Sequence, residues 1–143
     1  MERFKMIASG YVFFIKENKI LLSKRLNTGY MDGMYGLPSG HIENNESITQ
    51  GTYREIKEET GVKLKPSDIS LVHVMHRKEN DIRMDFFFLA KHYIGEPKNT
   101  EPEKCDDLQW FPINNLPKNT IPYIKEAIKN FRQNIFFSEF GWQ

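Results

Sequence analysis

The sequence predicts a mixed α/β fold in which a mixed β-sheet lies between helices. Three observations support this prediction. Residues 7–15 form a run of aromatic and branched apolar side chains that is typical of a buried strand. Residues 47–60 and the region after residue 120 show the spacing of amphipathic helices. The predicted strands and helices do not alternate regularly, which favours a mixed sheet over a purely parallel one.

Each element follows in order from local signals. A turn at residues 16–19 ends the first strand, and residues 20–25 return as the second. Residues 27–38 contain three glycines and a proline, so they predict a long loop before the helix. Further strands are predicted at 69–76, 82–92 and 108–111. A second amphipathic helix is expected to close the chain, with apolar residues at Ile121, Ile124, Ile128, Phe131 and Ile135.

Length and composition exclude several classes of protein. The chain has 143 residues, a usual size for one domain, and we expect residues 1–143 to form a single domain. Hydrophobic residues make up 39% and charged residues 27%, which is typical of a folded globular protein and not of a disordered one. The net charge of +1 provides no basic excess, so nucleic acid is not the expected partner.

The cysteine content and the N-terminal region indicate the compartment. Cys105 is the only cysteine, which excludes an intrachain disulfide and suits a reducing compartment. The apolar run near the N-terminus is too short to span a membrane and has no clear cleavage site. We therefore expect a cytoplasmic protein without membrane contact. The sequence leaves open whether it forms a homodimer.

Residues 47–60 carry the signals for both ends of a helix. Ser47 is a favourable N-cap, and Gln50 three residues later completes a capping box. Gly61 stands where a residue in the left-handed conformation ends a helix. One side of this helix is predicted to face the core through Thr49, Thr52, Tyr53, Ile56 and Thr60.

The other side of this helix carries three carboxylates. At about 100° per residue, Glu55, Glu58 and Glu59 fall within an arc of roughly 100°. Like charges at this spacing repel each other, so the arrangement predicts a bound cation. Oxygen-only ligands suit Mg²⁺ or Mn²⁺, whereas the scattered histidines do not suggest zinc. Gly51 falls in the same arc, where it is expected to leave room for a ligand. The alternative is a solvated acidic face.

A longer pattern distinguishes between these alternatives. From residue 40 the sequence fits G-x5-E-x7-R-E-U-x-E-E-x-G-U, where U is aliphatic, with fixed residues at Gly40, Glu46, Arg54, Glu55, Glu58, Glu59 and Gly61. This segment resembles the Nudix box of the Nudix hydrolases, and residues 37–40 resemble the Leu-Pro-Gly-Gly that usually precedes it. The segment from residue 101 to 117 resembles the MutT-like nucleotide pyrophosphohydrolases. Ser39 and Asn45 replace glycines of the usual pattern.

The resemblance implies a fold, a reaction and roles for the residues of the box. The family fold is an α/β/α sandwich around a mixed sheet, and its members hydrolyse a nucleoside diphosphate linked to another group with divalent metal ions. By motif position, Glu58 and Glu59 are primary metal ligands, and Glu55 is a further ligand or the general base. Arg54 is expected to orient Glu55 through a bidentate pair.

The resemblance also implies supporting and substrate-binding residues. Glu46 is a supporting carboxylate or a structural residue, and the carbonyl of Ser39 is a further metal ligand. Glu101 and Glu103, in a distal loop, are alternative general bases. Phosphates are expected on Arg25, with Lys24 and Arg77 as further candidates, and a nucleobase on Trp110 or Phe111.

Three hypotheses for the function follow. The first is metal-dependent hydrolysis of a nucleoside triphosphate, or a related triphosphate, to a monophosphate and pyrophosphate. The second is the same chemistry on ADP-ribose, a dinucleotide or capped RNA, although the neutral net charge counts against RNA. The third is a nucleotide-binding domain without turnover. The complete set of box carboxylates counts against this third hypothesis.

Overall fold

The computed structural model describes residues 1–143, which form eight strands and two α-helices. A short 3₁₀ turn, Pro66–Asp68, precedes the fifth strand. The strands are β1 (Ile7–Lys16), β2 (Lys19–Arg25), β3 (Tyr35–Gly36), β4 (Ser39–His41), β5 (Ile69–Lys78), β6 (Ile82–Ala90), β7 (Cys105–Pro112) and β8 (Phe137–Phe140). The helices are α1 (Ile48–Thr60) and α2 (Pro122–Arg132).

The strands form one mixed sheet in the order β3-β2-β1-β6-β5-β8, with β4 added to β1 and β7 added to β2. The β1/β6 and β5/β8 pairs are parallel, and the remaining pairs are antiparallel. One edge of β1 pairs with β6 along most of its length. Its other edge pairs with β4 at Ser9–Tyr11 but with β2 only at Ile15 and Lys16. The sheet therefore opens between β4 and β2.

The two helices cover opposite faces of this sheet. Val12 and Phe14 of β1 belong to a buried cluster that includes Ile56 of α1. Tyr11 and Phe13, which alternate with them, belong to a second cluster with the apolar residues of α2. The architecture is an α/β/α sandwich, as expected. Neither helix is long and apolar enough to cross a membrane.

The predicted strands and the first helix lie within a few residues of their expected positions, and three short strands were missed. The long loop contains the two-residue strand β3, and the three-residue strand β4 follows it. Strands this short show no apolar periodicity in the sequence. The prediction that a helix closes the chain is wrong beyond Arg132. Asn134 adopts a left-handed φ of 59°, Ile135 is 41% exposed, and β8 follows at the sheet edge.

Candidate active site

The helix α1 begins and ends where its sequence signals predict. Ser47 Oγ accepts a hydrogen bond from the amide of Gln50 at 3.1 Å, and Gln50 Oε1 accepts one from the amide of Ser47 at 2.9 Å. This is a complete capping box. Gly61 takes a left-handed φ of 78° and donates its amide to Lys57 at 2.9 Å. These caps fix which residues occupy the last two turns, where the acidic side chains lie.

The buried face of α1 differs from the prediction at one position, Thr49. Thr52, Ile56 and Thr60 are buried, but Thr49 is exposed. In the first turn, the adjacent Ile48 packs against the core instead. The hydroxyls of Thr52 and Thr60 donate to helix carbonyls at 2.7 Å, which satisfies them without solvent.

Two glycines of the box lie at close contacts around α1, one on β4 and one within the helix. A Cβ atom on Gly40 would overlap the Cγ and Cδ atoms of Glu55, so only glycine allows this carboxylate to lie against β4. Gly51 does not leave room for a ligand as predicted. It is buried, and a Cβ there would meet Glu46 and Ile42 at 2.7 Å, so protein atoms fill this space.

Arg54 connects the carboxylates of the box in an arrangement that differs from the prediction. Its bidentate partner is Glu46, with Nε–Oε2 and Nη2–Oε1 distances of 3.1 and 2.8 Å. Glu55 receives a single hydrogen bond from Nη1 at 2.9 Å, and Glu58 a longer one at 3.5 Å. The Nη2 group also donates to the carbonyl of His41 at 3.1 Å. The guanidinium therefore fixes Glu46 firmly and leaves Glu55 and Glu58 with spare oxygen lone pairs.

The carboxylates of the box differ in their tendency to ionise. Hydrogen bonds from Arg54, together with the backbone amide of Glu43, lower the pKa of Glu46 to about 2. Burial raises the pKa of Glu55, although hydrogen bonding to Arg54 opposes the shift. Burial raises the pKa of Glu59 to about 8, against a hydrogen bond of 2.9 Å from the Ser39 amide. Glu59 is thus the one of these three carboxyls that has no ion-pair partner, since Arg54 pairs with both Glu46 and Glu55.

A cleft of about 650 Å³ lies where the sheet opens. Glu55, Glu58 and Glu59 line one part of it, together with Ser39 and Gly40 of β4. The other lining residues come from several elements, and some of them were not predicted from the sequence as site residues. They include Ser9, Tyr11, Arg25, Tyr30, Arg77, Arg83, Glu101, Lys104 and Tyr123. Cleft residues thus come from both faces of the sheet.

The acidic side of the cleft fits a hard divalent cation. Its donors are oxygens, and the buried Glu59 carboxylate has only the Ser39 amide as a partner. No three carboxylates converge into a ready cluster, because Arg54 holds Glu55 and Glu58 while Glu59 turns to Ser39. A cation here would compete with Arg54 for Glu55 and Glu58, and its charge would lower the cost of ionising Glu59.

The cationic side of the cleft contains two positive charges without an acidic partner. Arg25 donates Nε to the carbonyl of Tyr30 at 2.7 Å and makes no ion pair, and Lys104 makes none either. Arg77, by contrast, is 2% exposed and pairs with Asp85 at 2.7 Å. Lys24 lies outside the cleft and pairs with Asp106. Arg25 therefore remains the best candidate for a phosphate contact among those predicted.

The two aromatic residues predicted to bind a nucleobase, and one of the two alternative general bases, do not line the cleft. Trp110 packs against the core beside α1, and Phe111 packs edge-on against Tyr35 at a centroid distance of 4.9 Å. They sit on β7, where the period of two sends them to opposite faces of the sheet. Glu103 is exposed and does not reach the cleft, whereas Glu101 does. The structure thus does not bring a stacking residue of β7 to the site.

The sequence predicted only Arg77, as a candidate phosphate contact, among the residues that form the floor of the cleft. Tyr11 donates its hydroxyl to Asp85 at 2.9 Å, so Tyr123, 3.0 Å away, donates to Tyr11. Arg77 lies 3.6 Å above the Tyr123 ring and also binds Asp85 and Glu79. These side chains come from β1, α2, β5 and β6. No local spacing could indicate the network that Arg77 forms with Tyr11, Asp85 and Tyr123, because only the tertiary fold brings these residues together.

Comparisons with known proteins match this geometry. The NUDIX domain model matches residues 5–131. An ADP-ribose pyrophosphatase of Methanocaldococcus jannaschii is 39% identical over 119 residues, covering 81% of this chain and 67% of that protein. Nudix hydrolase 6 of Arabidopsis thaliana is 29% identical over 134 residues, covering 88% of this chain but only 45% of that protein.

Solved structures show the same fold. A MutT NUDIX hydrolase from Burkholderia pseudomallei superimposes with a TM-score of 0.80 at 26% identity, covering 88% of this chain and 98% of that one. The chain belongs to the Nudix family, and it is a Nudix hydrolase that acts on phosphorus-containing anhydrides.

Proposed function

We propose that this chain is a Mg²⁺- or Mn²⁺-dependent pyrophosphohydrolase that cleaves the diphosphate linkage of a free nucleotide. The observation that carries the proposal is the arrangement of charge in one cleft. Glu55, Glu58 and Glu59 supply oxygens on one side, and the unpaired Arg25 and Lys104 supply positive charge among the other lining residues. A diphosphate bridged to a divalent cation needs both kinds of group.

The residues of α1 and β4 would hold the cation. Glu58 and Glu59 are the proposed main ligands, with Glu55 and the Ser39 carbonyl beside them. When bound, the cation neutralises phosphate charge and lowers the pKa of attacking water. Ser39 contributes a second function in this structure, since its amide holds Glu59 at 2.9 Å. The replacement of a glycine by serine at this position leaves both backbone groups available.

Arg54 and Glu46 position the reacting groups. Because Arg54 is bound by both oxygens of Glu46, it presents Nη1 to Glu55 in a fixed direction. We propose Glu55 as the general base that accepts a proton from the attacking water. Its carboxyl lies against Gly40 inside the cleft, and burial raises its pKa, which makes it a stronger base than an exposed glutamate.

We propose a nucleoside triphosphate as the first candidate substrate, cleaved to a monophosphate and pyrophosphate. The cleft volume of about 650 Å³ suits one nucleotide. ADP-ribose is the second candidate, and a specific observation favours it. The archaeal relative that is 39% identical is an ADP-ribose pyrophosphatase. Both candidates contain the same diphosphate linkage, so the proposed chemistry is common to them.

A product analysis tests the proposal. The purified protein is incubated with Mg²⁺ and, separately, each ribo- and deoxyribonucleoside triphosphate, ADP-ribose, a dinucleoside polyphosphate and capped RNA. ³¹P NMR in ¹⁸O-labelled water identifies the products and the phosphorus atom attacked. We expect a monophosphate and pyrophosphate from a triphosphate, or AMP and ribose 5-phosphate from ADP-ribose. Release of single phosphate as the first product, with a nucleoside diphosphate left behind, contradicts the proposed bond cleavage.

The Glu58→Gln variant is the matched control for this experiment. It retains the shape of the side chain and removes a charge from the acidic side of the cleft. Products that form equally fast with this variant come from a contaminating enzyme if a mock preparation without the protein also forms them, and otherwise contradict the role of Glu58 as a metal ligand. If the wild type cleaves none of these substrates in Mg²⁺ or Mn²⁺, the proposed pyrophosphohydrolase activity on free nucleotides is contradicted.

A further inference from the structure

The floor of the cleft contains one polar group that the protein itself does not satisfy. Ser9 on β1 is 3% exposed and lines the cleft, yet its Oγ has no hydrogen-bond partner in the protein. It is the only buried side-chain nitrogen or oxygen without a partner in the whole chain. A buried hydroxyl in this condition destabilises a fold unless a ligand or solvent pairs with it.

The register of the sheet shows what surrounds this hydroxyl. Ser9 lies opposite His41 of β4 and Asp85 of β6, and Tyr11 follows it on the same face. Asp85 already accepts hydrogen bonds from Tyr11 and Arg77. The neighbours of Ser9 are thus fixed in a network of their own. Ser9 therefore lies on the polar floor but takes no part in its hydrogen-bond network.

Each cation of this floor already has an acidic partner. Arg77 is bound to Asp85 at 2.7 Å and also to Glu79. Arg83, which also lines the cleft, is bound to Asp81 at 2.8 Å. No cation here is free to balance a phosphate, in contrast to Arg25. The floor therefore suits an uncharged group that forms hydrogen bonds.

The acidic helix and this floor approach the cleft from opposite faces of the sheet. A Cβ on Gly10 or Gly40, which are register partners, would overlap Thr52 or Glu55 of α1, so α1 covers that face. Ser9 and Tyr11 alternate with Gly10 and lie on the α2 face. A substrate with its diphosphate at α1 would place its uncharged part over the floor.

We propose that Ser9 is a specificity-determining residue whose hydroxyl binds the nucleoside part of the substrate, at a base carbonyl or a sugar hydroxyl. This inference rests on the proposed function, because it assumes that the diphosphate lies beside α1. It adds a substrate contact from β1, which lies outside the Nudix box. A serine hydroxyl both donates and accepts, so either nucleoside group satisfies it.

Binding without turnover tests this contact. Wild type and Ser9→Ala are titrated calorimetrically in EDTA with AMP, CMP, GMP, UMP, ribose 5-phosphate and inorganic phosphate. Ser70→Ala is the matched control, since Ser70 lies outside the cleft. We expect Ser9→Ala to bind the preferred monophosphate roughly 5- to 20-fold more weakly, and Ser70→Ala to bind it as wild type does. Affinity for inorganic phosphate should not change.

The other ligands identify the group that Ser9 contacts. An equal loss of affinity for ribose 5-phosphate assigns the contact to the sugar, and a loss confined to nucleotides assigns it to the base. We also expect Ser9→Ala to raise the melting temperature without ligand, because it removes the unpaired hydroxyl. Unchanged affinity of Ser9→Ala for every ligand overturns the inference, as does a wild type that binds no nucleotide.

The turnover experiment separates this inference from the proposed function. If wild type hydrolyses no anhydride but Ser9→Ala weakens nucleotide binding, the hydrolase proposal fails and the nucleoside contact stands. If wild type is active and Ser9→Ala has unchanged KM values for all its substrates, the contact fails and the hydrolase proposal stands.

Discussion

Arg54 binds both carboxylate oxygens of Glu46, with nitrogen–oxygen distances of 2.8 and 3.1 Å. The same guanidinium contacts Glu55 through one nitrogen and the backbone of β4 through another. The pair therefore joins the loop before α1, the helix itself and β4. We propose that this pair fixes the position of the helix against β4, so that the remaining carboxylates face the cleft.

This relationship predicts a graded effect of glutamate substitutions. Glu46→Gln keeps one oxygen for Arg54 and leaves Glu58 and Glu59 in place, so we expect a smaller loss of kcat than for Glu58→Gln. Both variants are compared by steady-state kinetics at saturating Mg²⁺. Glu43→Gln is the control, because Glu43 is 69% exposed and lies 3.8 Å from Arg54. An equal or larger loss at Glu46 would make it a direct ligand or base.

The sequence predicted most of the helix and of its acidic face because the signals are local. Ser47, Gln50 and Gly61 act within one turn of the helix ends, and the spacing of the three carboxylates follows from helical geometry. The partner of Arg54 could not be predicted in this way. Glu46, Glu55 and Glu58 are all within reach of its side chain, and the loop before α1 decides which of them it binds.

The misplaced residues show where local signals fail. Trp110 and Phe111 follow an acidic segment, but β7 pairs with β2, and this pairing directs both rings into the packed layers. The floor residue Ser9 carries no sequence signal at all. Its importance depends on the residues opposite it in the sheet, which lie more than 30 positions away.

Loss of either proposed main ligand should remove activity without unfolding the protein. We expect Glu58→Gln and Glu59→Gln each to lower kcat by roughly 10²-fold or more, since each loses a charge that holds the cation. Circular dichroism should remain unchanged. In EDTA, Glu59→Gln should also melt at a higher temperature than wild type, because a neutral amide is less costly to bury than a carboxylate. Near-native rates in both variants would contradict the assignment.

Removal of divalent cations should abolish turnover. The protein in excess EDTA is expected to be inactive, and Mg²⁺ or Mn²⁺ should restore the rate. The same cations should raise the melting temperature of wild type, since a ligand that binds only the folded state stabilises it. The Glu58→Gln, Glu59→Gln double variant controls for non-specific salt effects, and it should show no such rise. Full activity after verified metal removal would exclude the metal-assisted mechanism.

Glu101 and Glu103 should respond differently to substitution. Glu101 lines the cleft, and its charge contributes to the raised pKa values of Glu55 and Glu59, whereas Glu103 is exposed. We expect Glu101→Gln to change kcat or the Mg²⁺ dependence, and Glu103→Gln to behave as wild type. If Glu101→Gln loses more activity than Glu55→Gln in the same assay, the general base is Glu101 and the role proposed for Glu55 is incorrect.

The contact between Gly40 and Glu55 predicts a measurable coupling. A methyl group on Gly40 would overlap Cγ and Cδ of Glu55, so Gly40→Ala should destabilise the protein and displace the proposed base. In a Glu55→Ala background the overlapping atoms are absent, so the same substitution should cost much less. Chemical unfolding of the four proteins in this double-mutant cycle should give a coupling of about 1–3 kcal/mol. A coupling near zero would mean that β4 and α1 move apart as rigid elements, and that Gly40 does not position the carboxylate.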